Sequence, residues 1–466
     1  MSGLSKRQTG NKLKAGEGFF MEKTIAAIST PPGTGGISVI RISGPEAVSI
    51  ADSIFSGSLV DASTHTAHYG FIEWKGERID EVIVTVMRAP KTFTREDVVE
   101  IGTHGGIIVT NMVLDVCIKA GAYPAAPGEF TKRAFINGRI DLAGAEAVID
   151  IINSENVMAE KNAAGQLRGR LSRKIEEIRQ SLVDLAAHMQ VAIDYPDEEL
   201  EDITLEDIES SLKLAEKEVS SLIRSADDGR IIKEGIKTVI AGKPNVGKST
   251  LLNCLSGFEK AIVTDIAGTT RDIIEEQITL AGIPIRLTDT AGIRETDDKI
   301  EKIGVERSKE SIADADLVLA VINADEPLDA EDREIFERTE GKKRIVVANK
   351  TDKGICDEIK NLDCIFISAK DGSGTEELVN KISALFSIGD IKGRSGEIIP
   401  NMRHKAALES CRGFLMSAGE AVASGMPQDI ASIDINSAID SLGEITGATV
   451  SEDIVNSVFS NFCVGK

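Results

Sequence analysis

The stretch GKPNVGKS at 242–249 places two glycines, a lysine and a hydroxyl residue at the spacing GxxxxGK[ST]. Such a loop, set between a strand and a helix, turns successive N–H groups toward phosphate oxygens and aims a helix N-terminus at the anion. Lys248 is expected to reach the β- and γ-phosphates and Ser249 to ligate Mg²⁺, with Asn245, Val246, Gly247 and Thr250 completing the cradle. Three further stretches follow in order. TDIAGTTRD at 264–272 fits a first switch, in which Thr264, Asp265, Ile266, Ala267, Gly268 and Thr269 approach the nucleotide and Thr270 closes on Mg²⁺. DTAG at 289–292 ends a candidate parallel strand. There Asp289 would hold Mg²⁺ through water, and Thr290, Ala291 and the Gly292 N–H would face the γ-phosphate. NKTD at 349–352 reads the base, with Asn349 and Lys350 framing the contact. Guanine offers N1–H and an exocyclic amine to the Asp352 carboxylate, whereas adenine has an acceptor at N1 and would leave that carboxylate unpaired. Ser368, Ala369 and Lys370, after CIFI, add a backbone contact to the base. Together these motifs imply a site for GTP or GDP with Mg²⁺, and GTP hydrolysis.

One position departs from the common signalling pattern. A glutamine directly after DTAG often orients the attacking water, but here that residue is Ile293. Another group must then position the water. Glu301 is a candidate, and a surface glutamate beside Lys302 is the alternative.

The elements needed to hold these loops are legible as apolar periodicity. From 235 to 391 short apolar runs (IKTVIA, IRLTD, DLVLAVIN, RIVVAN, CIFISA) alternate with helical patterns. That is the signature of a mostly parallel sheet covered on both faces, an α/β P-loop domain of Ras-like type. QITLAGIPIRL is the exception, since two strands joined at Ala281-Gly282 read as antiparallel. Residues 21–140 read as an α+β domain. ISVIRIS at 37–43 is a strand, and HYGFIEW and DEVIVTVMRAP form a hairpin about Lys75-Gly76. Its glycine-rich loops PPGTGG, GTHGG and PGEF are placed to line a pocket. Residues 141–234 read as helical: Ile175, Ile178, Leu182, Leu185 and Met189 share one face, and Pro196 ends that helix before the acidic run at 197–202. Residues 392–466 return to helix. The economical interpretation is one helical domain made of both segments, with the α/β domain inserted between closely spaced ends.

The bulk numbers bound the function. The chain has 466 residues, enough for several domains, and a hydrophobic fraction of 42%. A net charge of −22 argues against a general coat on nucleic acid, so any RNA contact is local or shared with a partner. The six cysteines (117, 254, 356, 364, 411 and 463) form no CxxC pair and no zinc spacing, which reads as reduced thiols in a cytoplasmic protein. No apolar run approaches the roughly 18 residues of a membrane span. Residues 1–20 are polar and mildly basic and read as a disordered arm. Met21 opens the patterned chain, either as the true start or after a short targeting arm.

PPGTGGISVIRISG, FTREDVVEIGTHGG, PGEFTKRAFINGRIDLAGAEAV, YPDEE, GKPNVGKSTLLN, AIVTDIAGTTRD, DTAGIRE and the terminal FCVGK occur in one order from about Met21 to Lys466. In this the chain closely resembles the MnmE (TrmE) family of tRNA-modification GTPases. The resemblance implies an N-terminal domain that binds tetrahydrofolate and dimerises, a helical domain, and a G domain inserted in it. It implies a homodimer that forms a heterotetramer with an FAD-dependent MnmG (GidA) partner. Together they would add an aminomethyl or carboxymethylaminomethyl group to C5 of the wobble uridine of certain tRNAs. The one-carbon unit would come from a 5-formyl- or 5,10-methylene-tetrahydrofolate.

Carried to matching positions, the resemblance implies folate contacts from Arg41, Glu100, Arg139 and Lys466. It implies a K⁺ site from Asn245, Thr264, Ile266 and Thr269, which would place a positive charge where an arginine finger acts, and it makes Glu301 the water-orienting residue. Arg271 and Arg294 either support pairing of G domains or are solvated surface arginines. Cys463 is either a thiolate nucleophile toward uridine C6 or a buried, small apolar residue that sets the chain end beside the folate; the second reading is preferred. His104 reads as a loop residue rather than a general base. A non-modifying GTPase switch in ribosome or tRNA assembly is the rival function.

Overall fold

The computed structural model describes residues 23–194, 204–256, 275–280, 283–289, 311–386 and 401–466. Two compact units partition them. One holds the chain up to Ile149 with Leu167–Arg179 and Ile439–Lys466; the other holds Asp150–Gln166 and Gln180–Ala438. The arm at 1–20, Pro196 and the acidic run at 197–202 lie outside the described residues.

The first unit is built on a six-stranded sheet in the order β3-β4-β5-β2-β1-β6. Its strands are β1 (Ile25–Ile28), β2 (Ile37–Ser43), β3 (Thr66–Trp74), β4 (Glu77–Met87), β5 (Val98–His104) and β6 (Tyr123–Pro124). All neighbours are antiparallel except β1 and β6. The expected hairpin closes at Lys75 and Gly76, whose φ values of 53° and 85° match the right-handed twist of the flanking strands. One face of the sheet buries Ile40, Ile42, Val84, Val99 and Ile101 against the helices Ala47–Ile54 and Ile107–Lys119. The other carries a smaller cluster of Ile25, Ala27, Ala125 and Phe130, with Phe93 against it.

The chain end returns to this unit. Leu142 and Ala145 pack with Val455, Phe459 and Phe462 from the last helix, Glu452–Ser460, and the turn after it. The approach is close at Gly128, where φ is +66° and a Cβ would lie 2.7 Å from the Phe459 carbonyl oxygen. Only glycine fits there without displacing the last helix.

The second unit carries the other six-stranded sheet, ordered β12-β11-β10-β7-β9-β8. The strands are β7 (Ile236–Ala241), β8 (Glu275–Leu280), β9 (Ile283–Asp289), β10 (Leu317–Asn323), β11 (Arg344–Asn349) and β12 (Ile365–Ile367). Every pair is parallel except β8 with β9, the two strands that read as antiparallel from QITLAGIPIRL. β10 is buried at all seven positions, which explains its unbroken apolar run.

The helix Leu205–Glu234 starts at a capping box, with Thr204 Oγ1 accepting from Asp207 N and Asp207 Oδ2 accepting from Thr204 N, both at 3.1 Å. Met402–Ala423 packs along it, so segments from the two sides of the α/β sheet share one helical layer. Ile175, Ile178, Leu182, Leu185 and Met189 are all buried on Arg170–Asp194, as their spacing predicted. No helix among the described residues is long and apolar enough to cross a membrane.

Candidate functional site

Parallel pairing brings the carboxyl ends of five strands to one edge of the second sheet. Ile240 of β7 lies in register with Asp289 of β9, and Asn323 of β10 with Asn349 of β11, which in turn pairs with Ile367 of β12. From β7 the chain places β9 on one side and β10 on the other, so the loop after β7 sits at the switch point where open α/β sheets bind ligands.

The loop at 242–249 joins β7 to the helix Lys248–Ser256. Asn245 and Gly247 both take left-handed φ, 65° and 91°. At Gly247 a Cβ would fall 2.4 Å from the Asn349 side-chain nitrogen, so a residue without a side chain is required for the close approach. Lys248 is buried, and its Nζ donates to the Gly242 carbonyl at 2.7 Å and the Lys243 carbonyl at 2.9 Å. The ammonium thus lies over the loop that a phosphate chain would enter. Ser249 and Thr250 open the helix at exposed positions.

NKTD is tied to that loop. The buried Asn349 donates from Nδ2 to the Val246 carbonyl at 2.8 Å and accepts at Oδ1 from the Ala369 N–H at 3.0 Å. Lys350 donates from Nζ to the Asn245 carbonyl. Ser368 Oγ lies 3.4 Å from Asp352 Oδ1, and Asp352 is exposed, with Lys370 beyond it also exposed. The structure therefore gathers Asn245, Val246, Gly247, Lys248, Asn349, Lys350, Asp352, Ser368 and Ala369 at one strand edge. Asp289 closes β9 at the same edge. Thr264, Asp265, Ile266, Ala267, Gly268, Thr269, Thr270, Arg271, Thr290, Ala291, Gly292, Ile293, Arg294 and Glu301 lie outside the described residues.

Sequence reading missed one part of this site. Lys243, a variable position of the motif, is clasped by Asp329 at 2.6 Å, Asp332 at 3.2 Å and Glu326 at 3.7 Å. Burial works against its charge, but hydrogen bonds to Asp329 and Asp332 outweigh it and hold the ammonium above the ordinary lysine range. The Lys243 hydrogen bond holds Asp329 down to about 2, whereas burial pushes Asp332 up. The signal was present as the acidic cap LDAED at 328–332, but nothing in its spacing pointed to Lys243.

The folate expectations fall in the first unit. Arg41 and Glu100 face each other across β2 and β5, with Arg41 Nε 2.9 Å from Glu100 Oε1. The Arg41 guanidinium lies 5.8 Å from the Phe93 ring centre and 5.7 Å from that of Phe130; Arg139 lies 4.8 Å from Phe93. Phe93 therefore has both arginines within 6 Å of its ring, a role its place at the head of FTRED did not reveal. A buried ion pair fixes its loop: Arg133 donates to Glu96 at 3.1 Å and to Glu129 at 2.8 Å. The chain end docks here too, since Ser29 Oγ donates to the Gly465 carbonyl at 3.0 Å and Gly128 N–H to the Cys463 carbonyl at 3.3 Å. Lys466 is half-buried beyond them.

The structure fixes where Cys463 and His104 lie. Cys463 is exposed, not buried; Phe459 and Phe462 take the apolar seats instead, because the last turn aims the rings inward. His104 is the last residue of β5 rather than a loop residue; it is exposed, with Nδ1 2.7 Å from Asp80 Oδ1 on β4 and its N–H donating to Asp80 Oδ2 at 2.8 Å. All six cysteines are free.

Comparison with known proteins agrees with this architecture. Residues 24–139 match the family described as GTP-binding protein TrmE N-terminus, and residues 142–463 match the MnmE helical domain. The chain is 49% identical over 461 residues to the tRNA modification GTPase MnmE of Acetivibrio thermocellus, covering 96% of this chain and 100% of that one. It is 50% identical over 453 residues to the protein of the same name from Listeria innocua, covering 95% and 99%. For Thermoanaerobacter pseudethanolicus the identity is 48% over 456 residues, covering 95% and 99%.

Proposed function

This chain belongs to the MnmE (TrmE) family of tRNA modification GTPases, and from that premise we propose that its GTP hydrolysis drives modification of the wobble uridine. GTP hydrolysis in tRNA modification is the family's activity. The finer reading adds an aminomethyl or carboxymethylaminomethyl group at C5 of uridine, with an FAD-dependent partner and a homodimeric assembly. A tetrahydrofolate, when bound, supplies the one-carbon unit.

The observation that carries the reading is the Phe93 ring with Arg41 and Arg139 against it and Glu100 paired to Arg41. A carboxylate beside a flat apolar surface suits the donor edge of a pterin, and guanidinium groups suit the acidic tail. In the second unit, the chain's own residues divide the work on GTP. The loop at 242–249 binds phosphates, Lys248 neutralises charge at the β–γ bridge, and Asp352 reads guanine. Ser249, with Thr270 and Asp289, would hold Mg²⁺. Asn245, with Thr264, Ile266 and Thr269 mostly through backbone oxygens, would hold K⁺, and Glu301 would orient the water. Residues 235–391 act on this reading as an insert in a helical domain formed by 141–234 and 392–466.

The test is a nucleoside analysis of tRNA from cells lacking the protein. Loss of the C5 modification at the wobble uridine, restored by the wild-type chain, is expected. An unchanged modification would sink the reading and leave the rival switch in ribosome or tRNA assembly.

A further inference from the structure

Beside the Phe93 ring lies a cavity of about 490 Å³ that none of the expected folate contacts except Arg139 accounts for. It is lined by His65, Met87, Pro90, Lys91, Thr92, Phe93, Arg95 and Arg139. The lining holds three full cations and no carboxylate, in a chain whose net charge is −22. None of Lys91, Arg95 and Arg139 has a carboxylate partner among the described residues. Arg139 donates to the Phe93 carbonyl at 3.1 Å and Arg95 to the Asn137 carbonyl at 2.8 Å. Burial, and then the charge of Arg95, lowers the affinity of Arg139 for its proton. Like charges are thus held together at a cost.

The loop is held in that state from several sides. Asn137 returns a hydrogen bond to the Thr94 carbonyl at 2.6 Å, and Glu96 is locked by the buried Arg133. Two of the lining residues, His65 and Arg95, keep left-handed φ values of 61° and 60° without being glycine. Strain of this kind persists only where the surroundings fix it.

We propose that this cavity is a subsite for a chain of carboxylates, the oligo-γ-glutamyl tail of a folate whose ring lies at Phe93 and Arg41. The proposal rests on the folate reading above. Arg139 would meet the first carboxylate, and Arg95 and Lys91 the following ones. The cavity is small and continuous with the Phe93 ring, which favours a tail tethered to an aromatic head over an RNA backbone crossing the surface. Tethering makes each added carboxylate an intramolecular contact, so weak exposed ion pairs add up.

The experiment is calorimetry on the full-length protein with 5-formyltetrahydrofolate carrying either one glutamate or five. The pentaglutamate is expected to bind about tenfold tighter, close to 1.4 kcal/mol. That advantage should shrink as salt is raised, fall part-way in Lys91→Gln and fall to about one in Lys91→Ala/Arg95→Ala, with melting curves as the control for folding. Equal affinity of the two forms in the wild type overturns the subsite and leaves the folate reading intact. Binding of neither form overturns both. If the variants keep the ratio but lose tRNA in a filter-binding assay, the cations serve RNA and the proposal is wrong.

Discussion

The side-chain amide of Asn349 donates to the Val246 carbonyl at 2.8 Å, so the loop after β11 is fastened to the loop after β7. The same side chain accepts from Ala369 N–H at 3.0 Å. Three loops that are distant in sequence thus share one buried amide. Asn349→Ala leaves the Val246 carbonyl and the Ala369 N–H without partners. Stability should fall by about 2 kcal/mol, and both GDP and GTP should bind at least about tenfold more weakly. Urea unfolding and nucleotide titration check this, and a variant that binds GDP as the wild type does would refute the fastening role.

Asp352 is exposed beside Ser368 and free to meet a base. Asp352→Asn replaces an acceptor by a donor. GTP affinity should drop by about a hundredfold or more, while xanthosine triphosphate, with a C2 carbonyl, should gain. Unchanged GTP affinity would remove Asp352 from base reading.

Lys243 is the cation that compensates the buried Asp332. Lys243→Met keeps the stem and removes the charge, leaving Asp332 unpaired. A loss of about 3 kcal/mol is expected, with Lys243→Arg far milder. Because the Lys243 carbonyl also accepts from Lys248 at 2.9 Å, nucleotide affinity should fall with stability. Equal melting of Lys243→Met and wild type would mean the clasp contributes nothing.

Asn245 carries the one described side chain of the proposed K⁺ site, in a left-handed conformation at the top of the loop. Replacing K⁺ by Na⁺ should cut GTP turnover strongly, and Asn245→Ala should blunt that difference. Glu301→Ala should lower kcat more than it weakens GTP binding. Equal rates in both salts would exclude a K⁺ role.

The Asp80 hydrogen bond, and then its charge, raises the His104 pKa above the ordinary 6.5. A raised folded value means the pair's stabilisation is complete below the unfolded pKa and is lost as pH climbs through the folded one. Stability should therefore decline on that rise, and Asp80→Asn should flatten the decline. An NMR titration of the His104 ring giving a value at or below 6.5 would contradict the pairing.

The sequence by itself determined the nucleotide chemistry, because phosphate loops and base-reading motifs are contiguous. GKPNVGKS and NKTD each carry their own turn and their own functional groups, and the alternation of apolar runs fixed the sheet that spaces them. It also determined most strands outright, since a fully buried parallel strand such as β10 reads as six apolar residues in a row, closed by Asn323. What only tertiary structure decided are the contacts between residues far apart in the chain. Phe93 gains its place near Arg41 and Arg139 through strand pairing and the Arg133–Glu96 lock. Lys243 finds its carboxylates at Glu326 and Asp329, just ahead of the helix Ala330–Arg338, and at Asp332 in its first turn. Cys463 faces out because Phe459 and Phe462 compete for the apolar seats. Packing and charge compensation depend on which surfaces meet, and spacing along one chain does not encode that.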